Sequence, residues 1–194
     1  MHQRTSPGRY RAMTALTLLA PGTPMLFQGQ EFAASAPFLY FADHNPELAV
    51  LVENGRKDFL SQFPSLSDPA AQSGIAPPHD PETFARCKLD FSEREKHATA
   101  YRLTKDLLTL RRSDPAFAAQ QPRGVDGAVL GPQAFVLRFF GPEGAEQDRL
   151  LVVNLGRAVD LRTCPEPLLA PPADCRWVVR LSTDDPAYGG EGAA

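Results

Sequence analysis

The stretch Thr23-Pro-Met-Leu-Phe-Gln28, followed directly by Gly29, decides how the first part of the chain is interpreted. It is short, mostly apolar and bounded by turn-forming residues, a pattern typical of a strand buried on both faces in a parallel sheet. Such a strand must satisfy backbone hydrogen bonds along both of its edges. Because one buried strand cannot supply its own neighbours, we expect the neighbouring strands to lie outside this sequence.

A helix is predicted on each side of this strand. Ser6-Pro7 offers a capping hydroxyl and a proline at the first helical position, and Pro21-Gly22 ends a helix near residues 6–20. Asn45-Pro46 opens a second helix near residues 46–58. Helix, buried strand and helix with short links are part of an α/β alternation.

The middle of the chain changes from irregular to helical. Residues 61–90 contain five prolines among serine, aspartate and glutamine, which predicts a long surface excursion. A helix is predicted near residues 92–112, where Ser92 and Glu95 form a capping box and leucines recur at helical spacing. Asp114-Pro115 ends it.

From about residue 125 the sequence consists of short β-rich runs between glycines and prolines. This spacing predicts an antiparallel sheet or a small sandwich. The runs are residues 128–130, 134–140, 149–155 and 176–181. The predicted domains are therefore an α/β region over residues 1–113 and a β domain over residues 125–190.

Composition excludes several classes of function. The net charge is −3 and the basic residues are scattered, so no nucleic-acid partner is predicted. The longest apolar stretch, residues 12–20, is too short to cross a bilayer. Three cysteines fit neither a disulfide framework nor a zinc site and suit a reducing compartment, which predicts a cytoplasmic location. No phosphate loop, nucleophile elbow or metal-ligand spacing occurs, so neither a cofactor nor a metal is predicted.

The candidate site is the loop over residues 29–44, which leaves the carboxyl end of the predicted strand. Parallel α/β folds build their sites at such strand ends. Tyr40 and Phe41 offer flat faces for the apolar side of a sugar ring, and Asp43 and His44 offer hydrogen bonds. These four residues are the predicted substrate contacts.

Structural alternatives stand beside each of these assignments. Glu31 is expected to anchor the loop through a buried ion pair or backbone donors rather than to touch substrate. Asp43 precedes a helix start and could serve only to stabilise that N terminus. The aromatic side chains could equally belong to a hydrophobic core.

Three stretches of the sequence resemble one known family. Thr23-Pro-Met-Leu-Phe-Gln-Gly-Gln-Glu-Phe-Ala-Ala34, followed by Pro37-Phe-Leu-Tyr-Phe-Ala-Asp-His44, resembles the malto-oligosyltrehalose trehalohydrolases of the α-amylase superfamily. Phe84-Ala-Arg-Cys-Lys-Leu-Asp-Phe91 is similar to a second motif of the family, from which Cys87 and Phe91 depart. Residues 181–190 resemble the family's C-terminal region. The resemblance covers essentially the whole chain, which would form only the last third of a typical member.

The resemblance implies a fold for this chain. It also implies that the catalytic residues lie in polypeptide outside the chain. It implies the last strand and helices of a (β/α)8 TIM barrel, followed by a C-terminal antiparallel sheet or sandwich whose closing strand, after Gly190, is missing. Retaining glycosidases need two carboxyl groups roughly 5 Å apart. In this family they follow the fourth and fifth barrel strands, and a third aspartate follows the seventh. Met1-His-Gln-Arg4 aligns just after that third position, so no catalytic residue is predicted in this chain.

Two functions of different classes follow from these observations. In the first, the chain is the C-terminal portion of a retaining hydrolase that cleaves the α-1,4 bond next to the trehalose end of maltooligosyl trehalose. The missing barrel strands would then be supplied in cis or in trans. In the second, the chain is a non-catalytic carbohydrate-binding or interaction module derived from such an enzyme.

Overall fold

A computed structural model describes residues 5–120 and 124–192. Seven α-helices and three β-strands lie in these ranges. The helices are α1 (Pro7–Leu19), α2 (Pro46–Ser61), α3 (Pro69–Ser73), α4 (Pro81–Cys87), α5 (Glu93–Lys96), α6 (Ala98–Ser113) and α7 (Pro115–Ala118). The strands are β1 (Val125–Gly131), β2 (Ala134–Phe139) and β3 (Arg149–Asn154).

The two helices predicted from local signals are confirmed. Ser6 caps α1 and accepts a hydrogen bond from the Arg9 backbone N–H, with proline at the first helical position. Asn45 caps α2 in the same way and accepts from the Leu48 N–H at 2.9 Å. Helix α2 extends three residues beyond its predicted end. Both starts depend on neighbours in sequence, which is why a sequence pattern is enough to find them.

The strand predicted over residues 23–28 is wrong for the chain as described. This segment has no regular secondary structure, and it pairs with no strand among the described residues. The Met25 side chain is 87% exposed and Phe27 is 48% exposed, whereas the prediction required burial on both faces. A strand exists only where its edge groups find a ladder, and the described part of this chain supplies none.

Residues 61–90 are more regular than the prolines indicate. Prolines at the first turn of α3 and α4 start these short helices because their missing N–H groups would be unpaired there in any case. Asp80 caps α4 by accepting from the Glu82 N–H at 2.8 Å. The excursion is therefore a series of short helical turns rather than an irregular loop.

The helix predicted over residues 92–112 is present as two helices, α5 and α6, separated at His97. Backbone angles at His97 (φ −107°, ψ 36°) leave the helical region, and its Nδ1 lies 3.0 Å from the Phe32 carbonyl oxygen. Ser92 itself has helical backbone angles (φ −66°, ψ −20°), and its side chain makes no capping hydrogen bond to α5. The predicted capping box is therefore wrong.

The β region is one antiparallel three-stranded sheet in the order β1-β2-β3. Val125 pairs with Phe139, and Phe139 pairs with Arg149. The antiparallel prediction is confirmed for three of the four runs. The fourth run, residues 176–181, is not a strand: the Trp177 indole donates to the Leu169 carbonyl at 2.7 Å, and Val179 is 81% exposed.

The face of the sheet that carries Arg138 is covered by an irregular segment and not by a second sheet. Arg138 of β2 donates to the Ala170 carbonyl at 2.8 Å, pairs with Asp148 at 2.8 Å and lies 5.4 Å from the centre of the Trp177 ring system. The irregular segment over residues 167–177 therefore takes the place that a second sheet would hold in the predicted sandwich.

Helices and sheet share one hydrophobic cluster. Its fully buried centre is Leu18 of α1 and Leu107 of α6, and Phe117 packs edge-on against Phe139 at 4.8 Å. Arg111 of α6 strengthens the link by donating to the Leu18 carbonyl at 2.6 Å and the Ala20 carbonyl at 3.0 Å. Together these contacts join α1, α6, α7 and β2 in one core.

The described chain divides into two compact units, which do not follow the predicted domains. The first unit contains residues 1–33 and 92–194, and the second contains residues 34–91. The predicted limits 1–113 and 125–190 would separate α6 from β2, which share the core of the first unit. The domain division of the longer protein stays a prediction.

The C-terminal segment over residues 181–192 is held on the helices of the first unit. The Arg11 guanidinium donates to the Thr183 carbonyl at 2.7 Å and the Gly189 carbonyl at 2.9 Å, and it pairs with Asp184 at 3.1 Å. The Tyr188 hydroxyl donates to Asp106 of α6 at 2.9 Å.

This anchoring predicts a stability change at high pH. Burial, and then the hydrogen bond to Asp106, raise the pKa of Tyr188 from 10.0 to about 12. The folded state favours the neutral phenol, so its stabilising contribution is complete below pH 10.0 and is lost as the pH rises through about 12. We expect Tyr188→Phe to remove a tyrosine ionisation step near pH 12 in an ultraviolet absorbance titration. Loss of a step near pH 10.0 instead would show that Tyr188 ionises at its ordinary pKa.

Candidate functional site

The four residues predicted to contact substrate lie in the second unit, just before α2. Residues 34–45 have no regular secondary structure and form no ladder with the described strands. The Ala42 N–H donates to the Pro78 carbonyl at 2.9 Å, which fixes the middle of this loop. The structure thus brings Tyr40, Phe41, Asp43 and His44 into one short ordered segment.

Tyr40 and Phe41 present partly exposed rings. Tyr40 is 41% exposed, and the Arg56 guanidinium of α2 lies 4.5 Å from its ring centre, within the range of a cation–π contact. Phe41 is 37% exposed and packs edge-on against Phe84 of α4 at 4.9 Å and against Phe38 at 6.3 Å. Both rings are partly exposed, and Phe41 belongs to a local cluster of aromatic side chains that is separate from the core of the first unit.

Asp43 and His44 have no hydrogen-bond or ion-pair partner in residues 5–120 and 124–192. Asp43 is exposed and His44 is half-buried. The start of α2 is capped by Asn45, whose carboxamide oxygen accepts from the Leu48 N–H. Capping of α2 therefore does not account for Asp43, and both side chains keep hydrogen-bonding groups available.

Glu31 lies in the first unit, in a tight turn between Gly29 and Ala33. Both flanking residues have left-handed backbone angles, φ 77° at Gly29 and φ 52° at Ala33, and glycine adopts these angles at little cost. The Glu31 carboxylate lies 3.9 Å from the Arg94 guanidinium, and its side chain is 27% exposed. The Arg94 side chain is 42% exposed, so this ion pair is partly exposed rather than buried as predicted.

The charge of Glu31 also acts on a neighbouring tyrosine. Tyr10 of α1 donates its hydroxyl to the Gln30 carbonyl at 3.1 Å. Burial raises the pKa of Tyr10, and the nearby negative charge of Glu31 raises it further. The neutral phenol therefore stays a hydrogen-bond donor that holds the turn against α1.

Several contacts of the candidate loop were missed by sequence reasoning. Arg56 over Tyr40, Phe84 against Phe41 and the Cys87 thiol against the Leu39 backbone all join residues that are distant along the chain. No spacing rule connects them, because they depend on how α2 and α4 fold beside the loop. The only sequence signal was that Phe84 and Cys87 fall within one family-like motif.

A concave feature is present within the first unit. It is an open groove of about 490 Å³ between the start of α1 and the β1–β2 turn, lined by Arg9, Met13, Val129, Gln133 and Phe135 among others. Arg9 already donates to the Leu155 carbonyl at 2.7 Å. The groove contains none of the four predicted contacts.

Two structural features are absent from the described residues. Among residues 5–120 and 124–192, no group of three or more His, Cys, Asp or Glu side chains is arranged to hold a metal ion. Within the same ranges, no helix combines the length and the apolar character needed to span a bilayer.

Comparison with known proteins gives consistent matches. The chain is 39% identical over 163 residues to the malto-oligosyltrehalose trehalohydrolase of Deinococcus radiodurans, a match covering 81% of the chain and 25% of that protein. It is 37% identical over 167 residues to the protein of the same name from Arthrobacter ramosus, covering 80% of the chain and 28% of that protein. The chain thus spans about a quarter of the length of the curated relatives that it matches.

Structural and family comparisons agree with these relatives. A crystal structure from Salmonella typhimurium, provisionally described as an alpha amylase, matches 78% of this chain and 25% of its own, with a TM-score of 0.64 and 28% identity. The family described as "Domain of unknown function (DUF3459)" matches residues 122–194, which include the sheet. Helices followed by a small antiparallel sheet are therefore an α-amylase-like arrangement, and the chain is related to the malto-oligosyltrehalose trehalohydrolases, of which it corresponds to the C-terminal portion.

Proposed function

We propose that this chain is the C-terminal portion of a retaining glycoside hydrolase that releases trehalose from maltooligosyl trehalose by hydrolysing an α-1,4 bond. The support is the name and the 37–41% identity of the matched relatives. In this proposal the catalytic carboxylates and the remaining barrel strands come from polypeptide outside these 194 residues, in cis or in trans. The complete enzyme acts in the cytoplasm and needs neither a metal nor a cofactor.

The contribution of this chain is contact with the sugar. We propose that Tyr40, Phe41, Asp43 and His44 line the cleft of the complete enzyme. One observation carries this: two partly exposed aromatic rings adjoin two polar side chains that have no partner in the described part of the chain. A polyhydroxylated ligand needs this combination of flat apolar faces and hydrogen-bonding groups.

Each side chain has a chemical task in this proposal. The Tyr40 and Phe41 rings stack on the apolar faces of glucose units, and Arg56 and Phe84 hold those rings in place. The Asp43 carboxylate accepts hydrogen bonds from sugar hydroxyls, and the His44 ring either donates or accepts. Glu31, paired with Arg94, anchors the preceding turn and does not touch the substrate.

Kinetics of loop variants test this assignment. We expect Asp43→Ala and His44→Ala each to lower kcat/KM for maltooligosyl trehalose by roughly ten- to a hundredfold, because each loses a hydrogen bond worth about 1–3 kcal/mol in a desolvated cleft. The measurement uses a chimera in which this chain replaces the matching part of the Deinococcus radiodurans relative.

Matched controls separate substrate contact from general damage. Asp58→Ala changes an exposed aspartate of α2, and His79→Ala changes the histidine that lies 3.8 Å from Glu53. Both controls should keep the kcat/KM of the chimera, and thermal melting should show all four variants folded. Normal kcat/KM in folded Asp43→Ala and His44→Ala proteins would leave the loop a structural connector.

A further inference from the structure

Helix α4 contacts the candidate loop through one buried thiol. The Cys87 side chain is 5% exposed, and its sulfur accepts a hydrogen bond from the Leu39 N–H at 3.2 Å. The sulfur lies 3.2 Å from the Thr83 carbonyl oxygen, one helical turn back, and 3.6 Å from the Leu39 carbonyl oxygen, and either oxygen can accept from the thiol. Sulfur therefore links the backbone of α4 to the backbone of the loop, immediately before Tyr40.

Two neighbouring contacts also hold the loop in place. Phe84, three residues before Cys87 and on the same face of α4, packs against the Phe41 ring at 4.9 Å. The Pro78 carbonyl, in the segment leading to α4, accepts from the Ala42 N–H at 2.9 Å. Three successive parts of the loop, at Leu39, Phe41 and Ala42, are thus held by residues 78–87.

We propose that Cys87 is a positioning residue for the sugar-contacting loop. The proposal rests on the proposed function, since it assigns a task at the same site. Cys87 does not reach the sugar itself. It sets the backbone of Leu39, and through it the direction in which the Tyr40 and Phe41 rings face.

Cys87 can affect the loop strongly because the loop belongs to no β-sheet among the described residues. A segment outside helices and sheets has few backbone hydrogen bonds, so each one contributes a large share of what fixes its conformation. Loss of the bond at Leu39 leaves the Pro78–Ala42 bond and the Phe41–Phe84 contact to hold the loop. The aromatic rings then sample more orientations, and the sugar must order them on binding.

Hydrogen exchange and sugar binding, both measured on a catalytically inactivated form of the chimera described above, test the proposal together. In Cys87→Ala, we expect the Leu39 amide to exchange roughly three- to tenfold faster by NMR, as expected for loss of one modest hydrogen bond. The Ala42 amide, held by Pro78, should change less. The Kd for maltooligosyl trehalose, measured by calorimetry, should rise by a similar factor.

Conservative and remote variants make the test specific. Cys87→Ser keeps a group that accepts from Leu39 and donates to Thr83, so it should restore most of the Leu39 protection and of the affinity. Cys175→Ala changes an exposed cysteine and should match the wild type in both measurements. Thermal melting confirms that each variant is folded at the temperature of the titration.

The outcomes separate this proposal from the proposed function. Wild-type Leu39 exchange and wild-type Kd in Cys87→Ala would overturn the positioning role, as would a folded Cys87→Ser variant that rescues neither. A chimera with the wild-type loop that binds no maltooligosyl trehalose would count against the proposed sugar contact. Leu39 exchange would in that case still decide whether Cys87 sets the loop.

Discussion

The purified 194-residue polypeptide is expected to release no trehalose from maltooligosyl trehalose above the rate of the uncatalysed reaction. Retaining hydrolysis needs a carboxylate nucleophile and a carboxylic acid flanking the scissile bond, and the family resemblance assigns both to polypeptide outside this chain. Enzymes commonly accelerate reactions by about a millionfold or more, so loss of both groups removes essentially all turnover. This is the largest effect that we predict.

The assay compares the polypeptide with the Deinococcus radiodurans relative under identical conditions, with trehalose release measured directly. Glu31→Gln and Asp43→Asn variants of the polypeptide serve as controls for hidden chemistry. Activity that persists through repurification and disappears in either variant would show that the chain carries its own catalytic carboxylates. That result would refute the assignment of Glu31 to structure and of Asp43 to binding.

Replacing Asp114 by alanine is expected to lower the free energy of unfolding by about 2–4 kcal/mol. The Asp114 side chain is 2% exposed, accepts from Arg149 of β3 at 2.8 Å, and caps α7 by accepting from the Ala116 N–H at 3.1 Å. Its removal leaves the buried N–H without an acceptor and the mostly buried guanidinium without its counter-charge. We place the effect below that of a fully buried pair because the Arg149 side chain is 22% exposed.

Urea unfolding of a matched set of variants measures this effect. The exposed pair Asp160–Arg162 provides the control, since its side chains are 47% and 90% exposed and surface pairs contribute little. Asp160→Ala should leave the unfolding midpoint nearly unchanged. In a double-mutant cycle, Arg149→Met should destabilise the Asp114→Ala variant less than it destabilises the wild type. Equal losses for Asp114→Ala and Asp160→Ala would show that the buried pair does not hold α7 to β3.

Elements with local determinants could be predicted from the sequence. Helices α1 and α2 begin at Ser6 and Asn45, where a side chain caps the helix three residues ahead and proline occupies the first turn. Strands β1 to β3 follow from β-rich runs separated by turn residues, because antiparallel neighbours can be joined by short connections. In each case the deciding partner lies nearby along the chain.

Elements that depend on partners distant along the chain could not be predicted from the sequence. Residues 23–28 and residues 176–181 have strand-like composition, but a strand also needs a neighbour, and the described chain provides none for either. The helix over residues 92–112 is interrupted at His97, whose ring contacts the Phe32 carbonyl, 65 residues away along the chain. Composition indicates which secondary structure a segment favours, whereas its hydrogen-bond partners are determined by the tertiary structure.

The candidate site also combines features that the sequence predicts with features that only the tertiary structure shows. Its residue types, Tyr40, Phe41, Asp43 and His44, and their family resemblance could be read from the sequence. Tertiary structure alone determined that Arg56 lies over the Tyr40 ring and that Cys87 holds Leu39 across 48 residues. A sequence records which chemical groups are available, but their orientation depends on contacts between segments that only the folded chain brings together.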